Sequence, residues 1–178
     1  MTIEEIASKI EGVRAFRRPG FIDHRGSLRR LHSRKEYSEL DFAHEFVEEY
    51  VSESKAGVLR GLHYDRGMGK FVQVIRGELF DVVVDLRPGS PTYAQWQGFT
   101  MSADRCDQLF IPAGLAHGVY ALTNETMLHS MQTADHDPAT EGQLRWDDPT
   151  VAIVWPFSGP PILSAKDAAA PLLHELTV

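Results

Sequence analysis

The sequence predicts an all-β fold, a sandwich or barrel of short strands with short peripheral helices. Three observations carry that expectation. Between Gly57 and Asp85 the run GVLRGLHYDRGMGKFVQVIRGELFDVVVD holds three stretches rich in β-branched and apolar residues, broken at Gly67, Gly69 and Gly77. Downstream, PGSPTYAQWQGFTM, LFIPAGLAHGVYALTN and ETMLHSMQT are strand-like and separated by Gly, Pro or Asn. No helical periodicity intervenes between them, as it would in a parallel α/β sheet.

Each element follows from its local pattern. Thr2 and Glu5 fit a capping box, and Ile3, Ile6, Ala7 and Ile10 recur at helical spacing, which predicts a short N-terminal amphipathic helix. Residues 13–18 and 27–32 read as strands around a turn at Asp23-His24-Arg25-Gly26, and Ser33 to Leu40 as one or two helical turns. From His44, HEFVEEYVSES alternates: Phe46, Glu48 and Tyr50 share one face, and Val47, Glu49 and Val51 the other, so this is a strand. In the central stretch Arg60 and His63 fall on the first strand, Lys70 opens the second and Asp81 lies on the third. Strict alternation would put His63 on one face with the small Gly61, leaving room for a ligand. Pro112-Ala-Gly-Leu-Ala-His117 sets a histidine just past a turn, and Arg145-Trp146-Asp147-Asp148-Pro149 reads as a turn. Ser164 is the expected N-cap of a final short helix that contains Asp167. With no linker, repeat or low-complexity segment, residues 1–178 are expected to form one domain.

Composition narrows the function. The 178 residues are 43% hydrophobic and 24% charged, an ordinary soluble balance with enough chain for a sizeable core. A net charge of −7 argues against a nucleic-acid partner, yet a few local arginines can hold a phosphate within an acidic protein. One cysteine, Cys106, permits neither an internal disulfide nor a CxxC metal site. No apolar run approaches a membrane span, and the acidic start MTIEEIASKI is unlike a signal peptide, so a cytoplasmic protein is expected. His63 and His117, with Asp65 nearby, are similar to the histidine–carboxylate clusters of metal-binding cupins. Lys70 stands where those sites place a glutamate, and an ammonium beside a cation is costly, so no metal is expected.

Taken together, FxDxRG (Phe21, Asp23, Arg25, Gly26), SKAGVLRGLHY, GKFVQVIRGELFDVVVDLR, SPTYAQWQGF, QLFIPAGLAHG, RWDDP and LSAKDAAAPLL closely resemble the dTDP-4-dehydrorhamnose 3,5-epimerase family. The resemblance runs in register from about Phe21 to the C-terminus, leaving residues 1–20 as an N-terminal extension. It implies a cupin-like jelly roll, a homodimer whose protomers complete one another's nucleotide site, and epimerisation of a 4-keto-6-deoxy sugar carried on a nucleoside diphosphate, with no metal or organic cofactor. By the same resemblance His63 is the base, Asp167 its carboxylate partner and Lys70 the cation beside the developing enolate. Arg25, Arg60 and Lys166 would contact the diphosphate, Phe21 the nucleobase, and Asp81 and His117 would line the sugar pocket.

The departures are as specific. Counting back without gaps from Arg145, the family's acid, a tyrosine, falls at Ser130, and Met131 takes the place of a lysine. A serine hydroxyl is shorter and a far weaker acid than a phenol. Water or a displaced neighbour must then deliver the second proton, so exchange is expected to outrun inversion, with C3 favoured over C5. Glu48-Glu49-Tyr50 replaces a Q-D-N motif, and Arg30 a glutamate, which bears on the choice of nucleotide. The alternative expectation is a sugar-nucleotide binding protein without epimerase chemistry, or another keto-sugar isomerase on this scaffold.

Overall fold

The structure, a computed structural model, describes residues 2–176. Its main feature is a pair of antiparallel sheets. One has six strands in the order β1 (Glu4–Ile6), β2 (Arg14–Arg17), β10 (Asp107–Ile111), β7 (Lys70–Arg76), β12 (Thr126–Gln132), β5 (Glu48–Ser54). The other has five: β13 (Glu141–Gln143), β6 (Leu59–Asp65), β11 (Leu115–Ala121), β8 (Glu78–Asp85), β9 (Trp96–Ser102). A separate hairpin pairs β3 (Phe21–Asp23) with β4 (Gly26–Leu28). Helices α1 (Arg34–Ser38) and α2 (Ala165–Ala168) are short and peripheral. This is the expected jelly roll.

Strand periodicity accounts for three apolar clusters. The inner faces meet in a core where Val72, Val74, Leu109 and Leu128 of the six-stranded sheet face Leu79, Val83 and Val119 of the other. On the outside of the six-stranded sheet Phe71, Phe110 and Met131 pack under Tyr37 and Phe42. Outside the five-stranded sheet Leu62, Val82, Val84 and Ala116 pack under Leu144, Val151 and Leu173. Central strands are therefore buried on both faces, which is why β7 and β8 read as nearly continuous apolar runs.

Two local expectations are corrected. The predicted N-terminal helix is instead strand β1, with Glu4 opposite Arg17 and Ile6 opposite Ala15. A helix that short is marginal in water, whereas the open edge of β2 offers backbone partners at once, and Ile6 still reaches the inner core. The second concerns the face of His63. Strands β6 and β11 pair His117 with His63 but Val119 with Arg60, so Gly61 and Leu62 together oppose Gly118 in a bulge. Gly61 sits at φ +130°, and a Cβ there would lie 2.6 Å from the Gly118 Cα, so only glycine fits. The bulge brings Arg60, not Gly61, onto the cavity face with His63. Two predicted strands are also shorter than expected: β4 ends at Leu28 and β5 begins only at Glu48.

Candidate active site

A cavity of about 280 Å³ opens between the two sheets. The five-stranded sheet contributes Arg60, His63, His117 and Val119; the six-stranded sheet contributes Lys70, Leu128, Ser130, Tyr50 and Ser52; and the α2 segment adds Ser164, Lys166 and Asp167. Titratable groups thus converge from three directions on a partly apolar pocket.

The strongest contact is His63 Nε2 to Asp167 Oδ1, at 2.6 Å. Asp167 is itself held in place: Ser164 Oγ caps α2 by accepting from the Asp167 amide, and Gln143 Nε2 reaches the same carboxylate oxygen at 3.4 Å. With its Nε2–H donated to the carboxylate, the imidazole carries its lone pair on Nδ1. Burial pushes the His63 pKa below its ordinary value; Asp167 pulls it back up, while the Lys70 and Lys166 ammonium groups push it down. A lowered pKa favours the neutral imidazole, the form in which a carboxylate-held histidine can accept a proton.

A second histidine–carboxylate pair lies beside the first. His117 stands directly across the strand pair from His63, and its Nε2 is 2.8 Å from Asp81 Oδ2. Asp81 is fully buried, and that burial pushes its pKa up against the opposing pull of His117. Asp81 therefore lies behind His117 instead of lining the cavity, and its influence passes through the imidazole. At the rim, Arg60 donates to Ser54 Oγ at 3.0 Å and to the Glu53 carbonyl at 2.9 Å, while Lys166 is exposed and 3.6 Å from Glu141. Asp65 is turned away, accepting from the Gly67 amide. Among the described residues, no group of three or more His, Cys, Asp or Glu is placed to hold a metal ion.

Phe21 and Arg25 stand apart. They lie on the exposed β3–β4 hairpin, Phe21 64% exposed, with Arg25 paired to Asp23 at 2.7 Å, and they do not line this cavity. Other residues enter the site that the sequence reading had not placed there: Tyr50 and Ser52, on one face of β5, and Gln143, which touches Asp167. Alternation along β5 put Tyr50 and Ser52 together, but both faces of that strand are polar enough that the pattern did not say which turns inward. His129 points to the opposite side of the sheet, bonded to Gln73 and Glu49.

The sequence profile of the dTDP-4-dehydrorhamnose 3,5-epimerase family matches residues 7–175. The chain belongs to that family. A dTDP-4-dehydrorhamnose 3,5-epimerase of Salmonella typhimurium is 48% identical over 133 residues, 73% of either chain. Among solved structures, a dTDP-6-deoxy-D-glucose-3,5-epimerase from Legionella pneumophila in complex with dTDP-4-keto-L-rhamnose superposes with a TM-score of 0.92 at 38% identity, over 98% of this chain and 94% of that one. A 3′-monoepimerase from Streptomyces bikiniensis in complex with dTDP-quinovose gives 0.88 at 32% identity, over 94% and 86%. Membership of the epimerase family decides between the two expectations: the chain is an epimerase, an enzyme, and not a binding protein alone. Among the described residues no helix is long and apolar enough to cross a membrane.

Proposed function

We propose that this enzyme inverts a carbon α to the ketone of a 4-keto-6-deoxy sugar carried on a nucleoside diphosphate, at C3 in preference to C5, within a homodimer. The observation that carries the reading is His63, held by the Asp167 carboxylate, in one cavity with Lys70. A proton α to a ketone is weakly acidic, so its removal needs a base matched to neutral pH and a cation to hold the enolate charge. His63 Nδ1 takes the proton, Asp167 favours the imidazolium that forms, and Lys70 faces the enolate oxygen. His117, oriented by Asp81, is the sugar-binding group of the opposite strand. Arg60 and Lys166 at the rim are suited to the diphosphate, whose oxygens match guanidinium and ammonium donors.

The relatives bound to dTDP-sugars support a nucleotide-linked substrate. The hairpin supports the dimer: Phe21, Ile22 and Leu28 expose 64%, 78% and 71% of their surface, more apolar area than a lone hairpin needs to show. In the proposed assembly this hairpin carries Phe21 to the nucleobase and Arg25 to the diphosphate of the neighbouring protomer. Elsewhere on the molecule, β5 is an edge strand of the six-stranded sheet, available for pairing.

The test is proton exchange in deuterium oxide, followed by NMR with dTDP-4-keto-6-deoxyglucose and its CDP, GDP and UDP counterparts. Wild-type protein is expected to wash deuterium into C3. His63→Asn should bind the nucleotide sugar but lose exchange by at least about 100-fold. Asp167→Asn should lose less, since it orients the ring and transfers no proton. Equal exchange in wild type and His63→Asn would refute the assignment of the base.

A further inference from the structure

Inversion needs two proton movements on opposite faces of the enolate, and His63 accounts for one. We propose that the phenol of Tyr50 delivers the second; this rests on the reading of the site as a keto-sugar epimerase. Three observations on this chain carry it. First, Tyr50 on β5 is directly opposite Ser130 on β12, and the pairing runs without a shift from Thr126 opposite Ser54 to Gln132 opposite Glu48. Tyr50 therefore shares the inward face of Ser130, which in turn pairs with the core residue Val72. Second, both line the cavity that holds His63, Lys70 and Asp167. Directly opposite residues have Cβ atoms about 4.5–5.5 Å apart, so a tyrosine can reach over the space that a small serine leaves. Third, Tyr50 and His63 stand on different sheets, β5 in the six-stranded and β6 in the five-stranded. A substrate lying between the sheets meets the imidazole from one side and the phenol from the other, as inversion requires.

The step balances without a co-reactant. His63 Nδ1 takes the proton from the carbon beside the ketone; the C–H pair becomes the C=C bond, and the carbonyl π pair moves to oxygen, next to Lys70. The C=C pair then takes the proton of the Tyr50 hydroxyl on the opposite face, and the oxygen pair re-forms the ketone. This leaves an imidazolium and a phenolate, which return to their starting states by losing a proton to water and gaining one from it. Tyr50 is thus the displaced neighbour that Ser130 calls for, and inversion in the wild type keeps pace with exchange instead of lagging behind it.

The experiment follows deuterium wash-in and inverted product together, in deuterium oxide with dTDP-4-keto-6-deoxyglucose. Tyr50→Phe should slow inversion by about 100-fold or more while wash-in on the His63 side stays within a few-fold of wild type. Adding Ser130→Tyr to Tyr50→Phe returns a phenol from the facing strand and should recover inversion, a result that altered packing at residue 50 would not produce. Inversion by Tyr50→Phe at the wild-type rate would overturn the proposal. So would parallel loss of wash-in and inversion in a folded variant, which would make Tyr50 a substrate-placing residue. Wild-type protein showing neither wash-in nor inversion with any of the four nucleotide sugars would overturn the epimerase reading of the site, and this inference with it.

Discussion

His63 is tuned by opposed neighbours, and each can be removed separately. Burial and the two lysines hold its pKa below the ordinary imidazole value of about 6.5, while Asp167 raises it. A base works only when unprotonated, so the acidic limb of kcat/KM for the wild type should lie below that value. Lys70→Met removes a downward push and should move the limb to higher pH, besides slowing turnover by about 100- to 1,000-fold through loss of the enolate cation. Asp167→Asn removes an upward pull and should move it to lower pH. A pH–rate profile checks both, and limbs that stay at the wild-type position would show that neither side chain acts on His63. The chemical identities of this set were legible in the sequence, since His, Lys and Asp in strand and cap positions have few bland uses together. Tyr50 was legible only as a departure from a motif, because its role depends on what stands across from it.

At the scale of the element, the bulge in β6 decides which side chains line the cavity. Pattern reading assumes a period of two, and that period fails between Arg60 and His63, where two residues oppose Gly118. Nothing in the run Arg-Gly-Leu-His states this; it follows from the partner strand, whose own Gly118 allows the close approach. Gly61→Ala should therefore act twice. The left-handed φ and the clash with Gly118 should cost about 1–3 kcal/mol, read as a lowered midpoint in urea. Epimerisation should fall by more than the folded fraction does, because straightening the strand turns Arg60 and His63 to opposite faces. A variant of unchanged stability and rate would show that the bulge is not needed. The N-terminal segment illustrates the reverse failure: its period of 3.6 was real, but a waiting sheet edge outweighed it.

For the whole molecule, the class and most strands were legible because glycine and proline punctuate short apolar runs. Which apolar face belongs to which cluster was not, since central strands are buried on both sides and their pattern carries no direction. The proposed homodimer stands on surface that the single chain leaves open: the hairpin with Phe21, Ile22 and Leu28, and the edge strand β5 with Val51 and, just before it, Val47. Light scattering at micromolar concentration is expected to give twice the chain mass, and a clean monomer would sink that assembly.

The position of the β3–β4 hairpin, outside its own cavity, has a consequence for mixed populations. If each hairpin serves the neighbouring pocket, an Arg25→Ala chain still offers a sound His63, and a His63→Asn chain still offers a sound Arg25. Each variant alone is expected to be nearly inactive. Unfolded together in equal amounts and refolded, they should form hybrids in about half of the pairs, each hybrid with one pocket of two carrying both wild-type groups, so that about a quarter of wild-type activity returns. Activity recovered from two dead proteins is the behaviour of alleles that complement within one gene. A mixture that stays as inactive as its parts would place Arg25 and His63 in service of the same chain.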